Sequence, residues 1–143
     1  MSEPAEYSAA MSENVELVRR TFEAVCRGDL HDAASGFHEQ AAWHNTADFP
    51  GPRTCVGPRA IIDFWKSLME KFEQPEGGTE VERAVESDEA VVLAVRSVGR
   101  GKASSVPIDV RWGAAFHVRG GRITRVDVHG DWAKALRSAG LAG

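Results

Sequence analysis

The chain has 143 residues, of which 43% are hydrophobic and 27% charged, and its formal net charge at pH 7 is −4. This size and composition are typical of one globular domain with a single core. The negative charge argues against nucleic acid or an anionic membrane as the main partner, and no apolar run approaches the ~20 residues needed to span a bilayer.

The first eleven residues are predicted to form a flexible leader, followed by one domain over residues 12–143. The opening segment, MSEPAEYSAA, lacks the basic start and apolar run of a signal peptide. We therefore expect a cytoplasmic protein.

Two helices are predicted at the start of the domain. Ser12 is a suitable N-cap and Gly28 a suitable stop for the first helix, and Asp29 would cap the second. Thr21 lies within the apolar stripe of the first helix and is expected to face the interior. The stripe itself comprises Val15, Val18, Phe22 and Val25.

A short strand over residues 40–46 comes next, followed by a loop over 47–57 that is rich in glycine and proline. Strand alternation directs Trp43 and Asn45 inward and His44 outward. A third helix is predicted to begin at Pro58, and Trp65 lies on its apolar face.

Four strands in a meander and a final helix are predicted for the rest of the chain. The strand over 90–98 is apolar on both faces, which indicates a central strand or one covered by a partner subunit. Ser97 would face inward from it. Asp131 is a suitable N-cap for a last helix over 132–139.

The last two strands are predicted to form a hairpin around Gly120 and Gly121. A three-residue turn would set Thr124, Val126 and Val128 opposite Phe116, Ala114 and Trp112, all on one apolar face. The opposite face carries Asp109, Arg111, Asp127 and His129. The whole order predicts an α+β fold, in which helices on the concave side of a curved antiparallel sheet enclose a pocket.

Three stretches carry a resemblance to a known family: SENVELVRRTFEAVCRGDL, GPRAIIDFWKSLME and FHVRGGRITRVDVHGDWAKALRSAGL. Together they resemble the nuclear-transport-factor-2-like (NTF2-like) superfamily, in its SnoaL-like branch of polyketide-cyclase relatives. The resemblance implies a conical α+β fold around a pocket for a small hydrophobic molecule. It implies several activities as well as non-catalytic binding, so the fold does not settle the function.

The resemblance can be tested at catalytic positions. Ketosteroid isomerases of this fold use a tyrosine and two aspartates, and the matching positions here are Thr21, Asn45 and Ala114. Because an amide cannot accept a proton at neutral pH, isomerase activity is not expected. The epoxide hydrolases of this fold use an arginine and two aspartates, which Arg111, Asp109 and Asp127 imitate as a remote alternative.

Two functions stay open at this point. One is a cofactor-independent cyclase, isomerase or dehydratase that acts on an aromatic, polyketide- or steroid-like molecule, with His44 or Asp131 as its titratable group. The other is a binding domain without catalysis, because Thr21, Asn45 and Ser97 do not titrate near neutrality. In both cases the predicted pocket is lined by Thr21, Trp43, Asn45, Trp65, Ser97, Trp112, Ala114, Phe116, Val126 and Val128.

We expect no cofactor and no metal, since neither the histidines nor the two cysteines, Cys26 and Cys55, have a ligand spacing. We do expect a homodimer. Val92, Ala94 and Val98 would form an apolar patch on the outer face of the sheet, and monomers rarely leave such patches in water.

Overall fold

A computed structural model of the chain describes residues 12–46, 54–75, 78–88 and 90–141. The predicted leader and most of the predicted loop over 47–57 lie outside these residues. The helices of the described part are α1 (Glu13–Arg27), α2 (Leu30–Gly36), α3 (Pro58–Met69) and α4 (Trp132–Ser138). The strands are β1 (Phe37–Asn45), β2 (Thr54–Val56), β3 (Phe72–Glu73), β4 (Thr79–Glu86), β5 (Ala90–Gly101), β6 (Pro107–Arg119) and β7 (Arg122–His129).

The ends of the helices follow the predicted capping residues. The side chain of Ser12 accepts a hydrogen bond from the Val15 backbone at 3.0 Å, and Gly28 ends α1 with a φ of 73°. Asp29 caps α2 in the same way, and Asp131 caps α4. Each cap satisfies a backbone N–H that the first turn of a helix leaves unpaired, so short polar motifs determine these boundaries. The predictions for these ends are confirmed.

The strands form one sheet in the order β2-β1-β7-β6-β5-β3, and β4 also pairs with β5. The α+β fold is confirmed, and the predicted meander from β4 to β7 is present. The sheet is mixed, however, because β1 and β7 run parallel. These two strands are far apart in the chain, so no hairpin dictates their relative direction.

The β6–β7 hairpin keeps the predicted faces for Val126 and Val128 but has a different register. At the bulge, Ile123 is buried in place of the predicted Thr124. Val126 pairs with Phe116 and Val128 with Ala114, two residues away from the predicted partners. One residue of this shift comes from a two-residue turn, Gly120-Gly121, in place of three. The other comes from a bulge next to His117. Each one-residue shift alone would turn the following side chains to the other face of the sheet. Two such shifts restore the original face, so Val126 and Val128 stay on the apolar side.

The helices cover both faces of the sheet. We call the face against α1 and α3 the inner face and the opposite one the outer face. Helix α4 packs on the outer face, where Ala135 and Leu136 join Val92 and Ala115 in a small apolar cluster. A Cβ added at Gly113 would lie 2.7 Å from the Cβ of Ala135, so this glycine permits the close approach.

The position of α4 corrects the prediction that all helices gather on one side. It also removes one argument for a dimer, because Val92 is fully buried within the single chain, while Ala94 and Val98 are partly buried. Sequence periodicity shows which residues of α4 are apolar but not which face of the sheet they meet. Among the described residues, no helix is both long and apolar enough to cross a membrane.

Candidate functional site

Five aromatic side chains fill the interior between the inner face and the helices. We call Phe22, Trp43, Trp65, Trp112 and Phe116 the aromatic cluster. Phe22 meets Trp65 and Trp112 edge-on with ring centroids 5.9 Å apart, and Phe116 at 6.1 Å. Such edge-to-face contacts stabilise aromatic groups beyond the burial of their area. The cluster therefore occupies the space in which sequence analysis expected the pocket.

The two polar residues predicted deep in the pocket belong to this packed region. Asn45 is fully buried, and its Oδ1 accepts a hydrogen bond from Trp43 Nε1 at 3.1 Å. Thr21 is buried against Gly36, where an added Cβ would lie only 1.9 Å from Thr21 Oγ1. Both side chains thus have structural contacts inside the domain, which accounts for their burial without a ligand.

An apolar cavity of about 280 Å³ opens beside the aromatic cluster, between the end of α3 and an arm formed by β5 and β6. Along this arm, β6 continues beyond the residues that β7 pairs with, so Ile108 and Val110 face the cavity instead of the core. The wall comprises Trp65, Leu68, Met69, Phe72, Gln74, Ser97, Val98, Gly99, Ile108, Val110, Arg111, Trp112 and Gly130.

Three predicted pocket residues line this cavity: Trp65, Ser97 and Trp112. The other seven are buried deeper in the domain: Thr21, Trp43, Asn45, Ala114, Phe116, Val126 and Val128. Phe22 contacts members of both groups, Trp65 and Trp112 at the cavity and Phe116 in the interior. Its place in the α1 stripe was visible in the sequence. Strand alternation also puts Ile108 and Val110 on the same face of β6 as Trp112, a signal that is present in the sequence. It could not show that the arm extends past the core.

A chain of hydrogen bonds ends at the polar group of the cavity wall. Trp112 Nε1 donates to Ser97 Oγ at 3.1 Å, and Ser97 Oγ lies 3.2 Å from Thr79 Oγ1. Gln74 Nε2 donates to Thr79 Oγ1 at 3.1 Å. Ser97 is therefore held in place by side chains on two other strands, β6 and β4, and Gln74 in turn holds Thr79, which suits a fixed polar group in an apolar pocket.

The two predicted catalytic residues lie away from the cavity wall. His44 points to the outer side, between the buried Trp43 and Asn45, and its Nδ1 lies 3.0 Å from Thr54 Oγ1. Asp131 is exposed, and its Oδ1 accepts a hydrogen bond from the Lys134 backbone at 2.8 Å as the cap of α4. Their catalytic roles stay predictions, and neither side chain lines the cavity.

Asp109, Arg111 and Asp127 do not form one constellation. Asp109 binds Arg96 through two hydrogen bonds of 2.9 and 2.7 Å, which lower its carboxyl pKa. Arg111 donates instead to Glu82, at 3.0 Å. Asp127 is paired with Arg125 and His117. Each of the three residues thus has different partners, so the structure does not assemble the arrangement of an epoxide hydrolase.

Asp127 lies in a polar cluster on the outer face. Its side chain is only 13% exposed; its Oδ1 accepts a hydrogen bond from Arg125 Nε at 2.8 Å, and its Oδ2 lies 3.3 Å from His117 Nε2. Burial acts to raise the carboxyl pKa, but the contacts with His117 and Arg125 outweigh it, so the pKa of Asp127 is lowered. The carboxylate is therefore stabilised in its charged form.

The described residues contain no group of three or more His, Cys, Asp or Glu side chains placed to hold a metal ion. The two cysteines are free thiols in the structure. The pKa of Cys26 is raised to about 12, mainly by burial and to a smaller extent by the negative charge of Glu23. Burial also raises the pKa of Cys55. Thiols with raised pKa values are poor nucleophiles at neutral pH.

Comparisons with known proteins give a consistent result. A family model described as a SnoaL-like domain matches residues 18–126. An NTF2-like protein from Burkholderia xenovorans LB400 is 25% identical, with 91% of this chain and 98% of that one covered and a TM-score of 0.70. A provisionally named SnoaL-like polyketide cyclase from Jannaschia sp. CCS1 is 19% identical, with 81% and 83% covered and a TM-score of 0.69.

A third solved structure was obtained by co-crystallisation with a small molecule. The protein TerC, co-crystallised with polyporic acid, is 18% identical, with 84% of this chain and 92% of that one covered and a TM-score of 0.67. Comparison with curated protein sequences gives no match. The matched segment lies within the predicted domain over residues 12–143, and the division into leader and domain stays a prediction.

Proposed function

Since the chain belongs to the SnoaL-like domain family, we propose that it binds a small hydrophobic, aromatic molecule in the cavity between α3 and the β5–β6 arm. The observation that carries this proposal is an apolar cavity with Trp65 and Trp112 in its wall and Ser97 as a fixed polar group. Indole rings offer flat faces to a planar ligand, and a few placed polar groups orient it. The co-crystallisation of TerC with polyporic acid supports a ligand of this kind.

The volume of the cavity favours a ligand of modest size. About 280 Å³ is near the lower end of the range for small-molecule pockets, roughly 300–1,000 Å³. Among aromatic, polyketide- and steroid-like molecules, this favours those with one or two rings. The cytoplasmic location remains a prediction from the sequence.

Binding without catalysis is the better supported of the two functions. Arg111 is the only ionisable residue among the described residues of the wall, and its guanidinium is paired with Glu82 at 3.0 Å. A guanidinium stays protonated at neutral pH and cannot serve as a general base. The cyclase, isomerase or dehydratase activity is retained as a second candidate, because the chain shares its fold with a provisionally named polyketide cyclase.

A matched pair of substitutions tests the cavity. Val110 and Val106 are 49% and 56% exposed, but only Val110 lines the cavity. We expect 2-acetylnaphthalene, an aromatic ketone, to bind the protein and change its tryptophan fluorescence. Val110→Asp should weaken this binding by about tenfold or more, roughly 1.4 kcal/mol, because it places a charge in an apolar wall.

Val106→Asp is the control and should leave the affinity unchanged, because this side chain lies outside the wall. Equal losses in the two variants, or no binding by the unaltered protein, would contradict the proposed site. Turnover of the ketone is not expected, and a time-dependent loss of ligand in the binding assay would favour the enzyme instead.

We also propose a homodimer formed through the outer face. The apolar support for it is reduced, since α4 covers Val92. What remains is a surface with charges of both signs, such as the Arg96–Asp109 and Arg111–Glu82 pairs, which can be self-complementary about a two-fold axis. Light scattering should then give twice the monomer mass of 15.5 kDa, and a monomer mass at micromolar concentration would refute the dimer.

A further inference from the structure

Ser97 is the residue with a hydroxyl group among the described residues of the cavity wall, which also include Gln74 and Arg111. Ser97 lies on the inner face of β5, paired across the arm with Val110, and both side chains line the cavity. Around it the wall is mostly apolar. The direction of the hydrogen bonds that reach Ser97 determines whether it presents a hydrogen atom or a lone pair to the ligand.

The first of these hydrogen bonds has only one possible direction. An indole N–H can donate but not accept, so Trp112 Nε1 donates to Ser97 Oγ at 3.1 Å. A hydroxyl oxygen has two lone pairs and one hydrogen. Trp112 uses one lone pair, so Ser97 has one lone pair and one hydrogen left for Thr79 and the ligand.

The second direction follows from the orientation of the Gln74 amide. Its Nε2 lies 3.0 Å from the carbonyl oxygen of Val98, so the nitrogen of the amide must be on this side. Nε2 also lies 3.3 Å from the carbonyl oxygen of Gly78, which accepts from the Val98 backbone at 2.7 Å. Its contact with Thr79 Oγ1 is shorter, at 3.1 Å, so the second hydrogen of Nε2 is assigned to Thr79.

Thr79 can then pass its own hydrogen to Ser97. Thr79 Oγ1 has one hydrogen, which it can donate either to Gln74 Oε1 at 3.3 Å or to Ser97 Oγ. Ser97 Oγ lies slightly nearer, at 3.2 Å. When Thr79 donates to Ser97, the hydrogen bonds from Trp112 and Thr79 occupy both lone pairs of Ser97, and its own hydrogen is left for the cavity.

We propose that Ser97 donates a hydrogen bond to a carbonyl oxygen of the ligand, at the end of a relay from Gln74 through Thr79. The proposal rests on the proposed binding function and narrows its ligands to aromatic molecules with a carbonyl group. Two donors on the Ser97 oxygen polarise its O–H group, since successive hydrogen bonds strengthen one another. Thr79 does not line the cavity and acts as a positioning residue.

Three naphthalenes of nearly equal shape test the relay. 2-Acetylnaphthalene carries the carbonyl, 2-isopropenylnaphthalene has CH₂ in place of its oxygen, and 1-(2-naphthyl)ethanol carries a hydroxyl. We expect the ketone to bind about 5- to 10-fold more tightly than the alkene, as one net hydrogen bond provides. In Ser97→Ala the ketone and the alkene should bind equally, so the ratio of their affinities falls to about 1. Thr79→Val, which keeps the shape, should reduce it by about half without changing the affinity for the alkene.

The infrared carbonyl stretch of the bound ketone provides a second measurement that a purely structural role would not alter. It should shift to lower frequency in the unaltered protein, less in Thr79→Val and not at all in Ser97→Ala. If the alkene binds as tightly as the ketone, the relay is refuted and the cavity stands. Tighter binding of the alcohol than of the ketone would mean that Ser97 accepts a hydrogen bond from the ligand instead of donating one. If none of the three compounds binds, the proposed function is overturned as well.

Discussion

Phe22→Ala is expected to lower the free energy of unfolding by about 3–5 kcal/mol, the usual loss for a buried phenylalanine. The ring is 1% exposed and lies at the centre of the aromatic cluster, in contact with Trp65, Trp112 and Phe116. Its removal leaves a void that these large, rigid rings cannot close, so the lost contacts add to the lost burial. Urea denaturation followed by circular dichroism measures the change.

Phe22→Leu is the matched control for this substitution. Leucine keeps most of the apolar volume but none of the edge-to-face contacts, so its loss should be clearly smaller than that of alanine. A loss below about 1 kcal/mol for Phe22→Ala would mean that the cluster repacks and that the ring is not its centre. A change in the slope of the unfolding free energy against urea concentration would mean that the substitution alters the compactness of the folded or denatured state.

Asp127→Asn is expected to lower the free energy of unfolding at pH 7 by about 1–3 kcal/mol, as for a buried, charged hydrogen-bond acceptor. The amide keeps the shape of the carboxylate but removes the negative charge that faces Arg125 and His117. Because the side chain is largely buried, water cannot replace these contacts. Thermal and urea unfolding at several pH values measure the effect.

The pH dependence of this loss has a definite sign. The carboxyl pKa of Asp127 is lower in the folded protein than in the unfolded chain, where it is about 3.9. Its stabilisation is therefore fully present above the unfolded pKa and is lost as the pH falls through the folded pKa. The difference between the two proteins should be constant near neutrality and shrink below about pH 4.

Asp109→Asn is the control for Asp127→Asn. Asp109 has two short hydrogen bonds from Arg96, but its side chain is 54% exposed, so solvent screens the pair. We expect a much smaller change in stability than at Asp127. Equal effects at the two positions would mean that burial does not determine the contribution of these carboxylates. A constant difference down to pH 3 would contradict the assigned contacts of Asp127.

Much of the fold was predictable because it depends on local chemistry. The N-cap side chains of Ser12, Asp29 and Asp131 each accept a hydrogen bond from a backbone N–H three residues on. Gly28 ends α1 because it adopts a positive φ. The alternation of β6 placed Trp112 and Phe116 on the buried face for a similar reason. A strand has a side-chain period of two, so burial of one face is visible in the sequence.

The sequence by itself determined the order of the helices and long strands, though not the short strands β2 and β3, and the resemblance that the family match confirms. It also determined most of the inward residues of the long strands. Only the tertiary structure decided that Phe22 fills the interior, that α4 covers Val92, and that the cavity lies along the β5–β6 arm. The physical reason is that periodicity defines a direction for each side chain, whereas a cavity is the volume that side chains from distant elements leave unfilled.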